Sequence, residues 1–198
     1  MKVTIACPSN RGIKNKTVES IMRLIANNVN GDYEFHCICP SEGYTIAENR
    51  NYIAFQALNN NSDYLFMVDD DMVFDSDILD ILISNDKDIC GVTYHPRCET
   101  AQNTVQLDET HIIEIEKNRD NPKYNKVFEC KAVGTGIILI KTEVFRKMTQ
   151  PYFAFEYYEN GKCKMGEDWF FCIKAKEFGF TTWADPTVDI KHIGEKLY

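Results

Sequence analysis

Three kinds of signal are missing from this sequence. Its eight cysteines, scattered from Cys7 to Cys172 and mostly inside apolar segments, include no Cys-x-x-Cys pair. That speaks against a zinc ribbon or a disulfide framework and for buried free thiols. No apolar run approaches the roughly 20 residues needed to cross a bilayer, and Met1 leads straight into Lys-Val-Thr-Ile without the pattern of a secretory signal. The expectation is therefore a cytoplasmic protein with no transmembrane segment, peripheral to a membrane only if its substrate is lipid-linked. Basic clustering is absent as well. Thirty acidic residues against 22 basic ones leave a formal charge of −8, which excludes broad nucleic-acid binding, because that needs clustered Lys and Arg to neutralise phosphates. An acidic protein that handles phosphates needs a cation as mediator.

What is present suits one domain. The 198 residues are 44% hydrophobic, enough for a single core, and no repeat, low-complexity tract or linker divides them. Apolar runs Val3–Cys7, Tyr33–Cys39, Tyr64–Val68 and Asp88–Tyr94 read as strands. Between them, helical spacing marks Thr17 to about Val29, with Thr17 as cap and Asn30-Gly31 as stop, then about Thr45–Leu58, then a helix from about Ser76. Alternation of this kind predicts an α/β fold with a mostly parallel central sheet flanked by helices. The second half is less regular. Arg97–Lys126 reads as a polar loop or irregular hairpin, Val127–Val133 and Ile137–Lys141 as strands around Gly134-Thr135-Gly136, and Thr142 as the cap of a short helix. A hairpin is expected to turn at Asn160-Gly161, and a helix to run from about Glu167 to Gly179.

Chemistry concentrates at two acidic motifs. Asp69, Asp70 and Asp71 follow the third strand, at the sheet edge where α/β proteins bind ligands. If the backbone stays extended, Asp69 and Asp71 share a face and Asp70 points away. Two carboxylates about 4 Å apart repel by roughly 4 kcal/mol at an effective dielectric of 20, a penalty that a Mg²⁺ or Mn²⁺ ion removes. A solvated turn capping the next helix also accommodates such a triplet. A calcium loop does not fit, because the glycine required at its sixth position is missing. Glu167 and Asp168 open a helix after Gly166, where anions suit the helix dipole, and Trp169 offers either a core side chain or a flat surface for a sugar. His192 is either structural or a further metal ligand.

The order of "IACPSNRG", "AENRNYIAFQAL", "FMVDDDMVF", "VGTGIILIK", "GEDWFFCIKAKEFG" and "HIG" resembles the GT-A fold of nucleotide-sugar-dependent glycosyltransferases. The resemblance is in particular to the inverting family 2 and small enzymes like it from bacteria and viruses. The resemblance covers nearly all of residues 1–198. It implies a nucleotide-sugar-binding half over about 1–95 and an acceptor-binding half over about 96–198 of one domain. It also implies that Asp71, Asp69 and His192 hold Mn²⁺ or Mg²⁺, and that Pro8, Ser9, Asn10, Arg11 and Arg50 lie around the nucleotide. Asp70 is placed with the donor-binding residues, since the triplet permits a shifted register. Gly134, Thr135 and Gly136 would line a sugar pocket, Trp169 would meet the acceptor, Asp168 would be the base and Glu167 an orienting group. The implied donor is a UDP-sugar ahead of a GDP-sugar, and the acceptor is a hydroxyl of a glycan, lipid or protein. A chain ending soon after His192 is expected to be a minimal catalytic module. Two other readings remain. A sugar nucleotidyltransferase is disfavoured by the single glycine in "CPSNRGIKNKT", and a non-catalytic nucleotide-sugar-binding module is disfavoured by the "ED" pair. A haloacid-type phosphatase is disfavoured further, because "DDDMV" lacks the small hydroxyl residue that follows the D-x-D nucleophile motif of such enzymes.

Overall fold

Leu65, Phe66, Met67 and Val68 are all fully buried, although successive side chains of a strand point to opposite faces. A strand covered on both sides has no reason to alternate with polar residues, which is why the sequence here is an unbroken apolar run. The computed structural model describes residues 1–28, 31, 33–40, 45–94, 104–108 and 121–194. Their elements are β1 (Lys2–Ala6), α1 (Asn15–Asn27), β2 (Glu34–Ile38), α2 (Ile46–Asn59), β3 (Tyr64–Val68), β4 (Met72–Phe74) and α3 (Ile78–Ser84). Then follow β5 (Ile89–Val92), β6 (Val105–Gln106), β7 (Phe128–Cys130), β8 (Ala132–Val133), β9 (Ile137–Lys141) and α4 (Thr142–Lys147). The last are β10 (Glu156–Tyr157), β11 (Cys163–Met165), α5 (Glu167–Glu177), β12 (Thr182–Asp185) and β13 (Ile190–His192).

A seven-stranded sheet in the order β2-β1-β3-β9-β5-β12-β7 forms the middle layer. β2, β1, β3, β5 and β12 run one way and β9 and β7 the other. Because β9 is inserted between β3 and β5, the two halves of the chain share one sheet. One face packs Leu65, Met67, Ile138 and Ile140 against α2, α4 and α5. The other packs Phe66, Val68, Ile137 and Leu139 against Leu24 of α1 and Ile78, Leu79 and Leu82 of α3.

Several expectations change in detail. α1 starts at Asn15, not Thr17. Thr17 is buried and its hydroxyl donates to the Asp70 carbonyl at 3.1 Å, while Val18 and Met22, apolar residues within the expected helix, are exposed. Thr142 caps nothing, because its hydroxyl donates to the carbonyls of Ser62 and Asp63 and pins α4 to the end of α2. Val127–Val133 divides into β7 on the main sheet and β8 paired with β6. β4 and β12 had no counterpart in the sequence pattern. The hairpin at Asn160-Gly161 and the stop at Gly179 are as expected, both glycines having positive φ. Seven cysteines are free thiols. Cys98, Asn30, Val29 and the larger part of the polar loop from Arg97 lie outside the described residues.

Candidate active site

β3 stops at Val68, and the next residues turn rather than extend, with the Met72 amide donating back to the Asp69 carbonyl at 3.4 Å. Strict alternation therefore does not govern the triplet. Each carboxylate instead has its own partner. Asp69 accepts from Arg50 at 2.9 Å, Asp70 accepts from the Ser9 hydroxyl at 2.6 Å, and buried Asp71 stands 3.2 Å from Nε2 of His192. The last contact follows from strand pairing, because β13 runs antiparallel to β4 with His192 opposite Met72, and Ile193 donates its amide to the Asp71 carbonyl at 2.8 Å.

Arg50 joins the two acidic motifs. It is 3% exposed on the inner face of α2 and reaches Asp69 with one nitrogen and Glu167 with the other. A capping box between Thr45 and Glu48 sets the start of that helix. Asn51, one residue further, holds the backbone of Tyr152 and Phe153, and Phe153 stacks on Phe171 of α5 at 4.6 Å. Helix α5 is thereby fixed with its first turn against Arg50. Burial by itself lowers the Arg50 guanidinium, but Asp69, Glu167 and Asp168 outweigh it and raise it, so it stays charged. Burial also holds the carboxyls of Asp69, Glu167 and Asp168 above their ordinary values despite the lowering pull of Arg50. For Asp168 this resolves a conflict, since the amide of Trp169 donates to it at 2.8 Å and favours the ionised form. Desolvation prevails, so the carboxyl stands above its ordinary value.

Asp168 and Trp169 line a pocket of about 360 Å³ with Thr104, Lys164 and Gly166. A Cβ at Gly166 would sit 2.9 Å from Oδ1 of Asp168, so glycine is what lets the carboxylate fold back there. Trp169 is half-buried, packing on the core while it borders this pocket. The run Gly134, Thr135, Gly136 lies against Tyr94. A Cβ at Gly136 would come 2.6 Å from the Tyr94 ring, and one at Gly134 2.7 Å from its hydroxyl, so both glycines serve close packing. The Gly136 carbonyl accepts from the Asp69 amide at 2.8 Å, which locks this turn beside the acids. Thr135 is buried. After β1, Pro8 is buried, Ser9 holds Asp70, Asn10 accepts from Asn49 at 2.8 Å, and Arg11 borders a cavity shared with Asp70 and His192.

Two residues were missed. Tyr94 packs edge-on to His192, and desolvation raises its phenol. Asn49 is fully buried. Helical spacing offered a signal for Asn49 and Arg50, which precede buried Ile53 and Ala54 by four residues. Tyr94 offered none.

No group of three His, Cys, Asp or Glu side chains able to hold a metal ion occurs among the described residues. Asp71 and His192 nevertheless fit a sparse site. Two ligands about 2.1 Å from one cation and at right angles lie roughly 3.0 Å apart, close to the observed 3.2 Å. Asp69 is already engaged by Arg50.

No protein-family model matches the chain, and no curated protein matches it in sequence. Solved structures do resemble it. A197 from STIV has a TM-score of 0.63 at 18% identity, over 98% of this chain and 87% of that one. GalNAc-T7 with UDP, GalNAc and Mn²⁺ gives 0.59 at 11%, over 96% of this chain but 43% of its own. The inositol-1-phosphate CTP transferase from T. maritima gives 0.51 at 11%, over 97% and 88%. Likeness at these identities is one of fold, and the fold is the GT-A architecture of nucleotide-sugar and nucleotidyl transferases.

Proposed function

We propose that the chain is a metal-assisted glycosyltransferase that moves a sugar from a nucleoside-diphosphate sugar, by preference a UDP-sugar, to a hydroxyl of a glycan, lipid or protein. The observation that carries this reading is Asp168: a carboxylate in the wall of a pocket of about 360 Å³, raised in pKa by burial and next in the chain to Glu167, which Arg50 ties to Asp69 at the end of β3.

In this reading the acceptor enters beside Trp169, and Asp168 takes the proton of its hydroxyl as the oxygen attacks the anomeric carbon. Such a base typically contributes about 10²–10⁴-fold. Attack opposite the departing diphosphate inverts the configuration. Glu167, held by Arg50, keeps the first turn of α5 in place. Ser9, Asn10 and Arg11 border the nucleotide. Asp71 and His192 would hold Mn²⁺ or Mg²⁺, which stabilises negative charge on the leaving diphosphate as a Lewis acid.

The test is a panel of nucleotide sugars incubated with the chain and Mn²⁺. Release of a nucleoside diphosphate from one of them supports the reading. Pyrophosphate release from a nucleoside triphosphate and a sugar phosphate would replace it with nucleotidyl transfer. Binding without turnover would leave a recognition module.

A further inference from the structure

In this acidic chain, unneutralised positive charge gathers at one cavity. A space of about 1020 Å³ lies between the β1–α1 loop, β4 and β13, bordered by Arg11, Lys14, Lys16, Asp70, Lys191 and His192. Several cations elsewhere are matched: Lys2 pairs with Glu34, Arg23 with Glu19, Arg50 with Asp69 and Glu167, Lys141 with Asp86, and Lys164 with Glu156. Arg11, Lys16 and Lys191 make no ion pair with any described residue. Among the described residues, the one carboxylate on the cavity wall, Asp70, already accepts from Ser9. The volume is that of a site for a ligand of nucleotide size. α1 opens onto the same space through Lys14, Asn15 and Lys16, with no acidic residue in its first turn, so its amide dipoles add to the positive field.

We infer that this cavity is a diphosphate clamp in which Arg11, Lys16 and Lys191 neutralise phosphate oxygens directly, so that ligand binding keeps a component independent of any metal. The inference rests on the glycosyltransferase reading only for the use made of the ligand. Cationic side chains recognise a diphosphate whatever reaction follows. His192, the partner of Asp71, borders the same cavity. The clamp and the proposed metal ligands therefore serve one anion together. Affinity should increase with phosphate charge, from nucleoside monophosphate to diphosphate, and should fall with added salt, because the three cations are exposed.

Calorimetry on the whole chain with inorganic pyrophosphate and with UDP, each in EDTA and each with Mn²⁺, tests the clamp. Both ligands are expected to bind in EDTA. Lys16→Ala and Lys191→Ala should each weaken that binding about fivefold, and the double variant more, as for exposed charge pairs at the upper end of their range. These are surface positions, so the variants remain folded, which circular dichroism checks. No binding of either ligand in EDTA, or wild-type affinity in the double variant, overturns the clamp. Binding in EDTA that is lost in the double variant, with no sugar transferred from any donor, would uphold the clamp and reject the glycosyltransferase reading.

Discussion

Replacing Arg50 by Met removes the cation that three carboxylates share and keeps the aliphatic stem. The side chains of Asp69 and Glu167 are 33% and 12% exposed, so Asp69 can recover water after the substitution and Glu167 cannot. Removing one partner of a buried ion pair costs about 3–5 kcal/mol, and the exposure of Asp69 places the expected loss near the lower bound, about 3 kcal/mol. Domains are stable by only about 5–15 kcal/mol. At roughly 2–4 °C per kcal/mol for a chain of this size, Tm should drop by about 6–12 °C. The loss should also depend on pH. Asp69, Glu167 and Asp168 have folded-state pKa values above their ordinary ones because burial disfavours the charged form. A carboxyl of that kind holds more protons folded than unfolded, so stability declines as pH rises from the unfolded value through the folded one. Without Arg50 the folded values rise further. The penalty is then complete above them and shrinks as pH falls toward the ordinary carboxylate range, about 4. Urea denaturation of both proteins at about pH 8 and about pH 5 should show a smaller gap in acid. Equal midpoints at both pH values, or a gap that widens in acid, would refute the argument, since the carboxylates would not be what Arg50 holds.

Asp168→Asn should leave UDP binding intact and lower transfer by about 10²–10⁴-fold, chiefly in kcat. Because Asp168 must be ionised to act and burial raises its pKa, the wild-type rate should climb with pH through a midpoint above the ordinary carboxylate range, and a flat profile would remove it as the base. Asp71→Asn and His192→Ala should each weaken Mn²⁺ binding in calorimetry while the thermal midpoint stays near wild type. Unchanged Mn²⁺ affinity in His192→Ala would return that histidine to a packing role. Gly136→Ala brings a methyl group to 2.6 Å from the Tyr94 ring, and should cost about 1–3 kcal/mol in chemical denaturation. Full stability there would mean that Tyr94 moves aside freely.

The sheet was legible wherever a strand is buried on both faces, as at β3 and β9, because burial forces a continuous apolar run. β12 escaped notice because Thr182, Trp183, Ala184 and Asp185 carry no such run, although Asp185 is fully buried and accepts from Asn85 at 2.7 Å. β4 escaped because it is three residues long and exists only by pairing with β13. The apolar face of helix α1 was read in part: Leu24 is buried and Ile21 and Ile25 pack against the core, but Val18 and Met22 are exposed. Thr17 and Ser20 turn inward because their hydroxyls meet the Asp70 carbonyl and the Phe74 amide, contacts that hydrophobic spacing does not anticipate. Arg50 is the instructive case. Ala47, Arg50, Ala54 and Ala57 follow the helical repeat of a buried stripe, a spacing that points to a charge in the core, whereas the resemblance had set Arg50 beside the nucleotide. Only the fold supplies its partner, 117 residues away.

Three adjacent aspartates are tolerated here because the turn after β3 separates their duties. Asp69 answers a buried guanidinium, Asp70 a hydroxyl and Asp71 an imidazole. This division limits what the motif can do for a metal. With Asp69 committed to Arg50, a cation is left with one carboxylate and one histidine from the protein. Mg²⁺ and Mn²⁺ accept so few protein ligands when phosphate oxygens and water complete the shell. Metal and diphosphate should accordingly bind as a pair, each weakly alone. On the proposed reading, holding the diphosphate until the pair forms would fall to Arg11, Lys16 and Lys191, which border the cavity that His192 also borders.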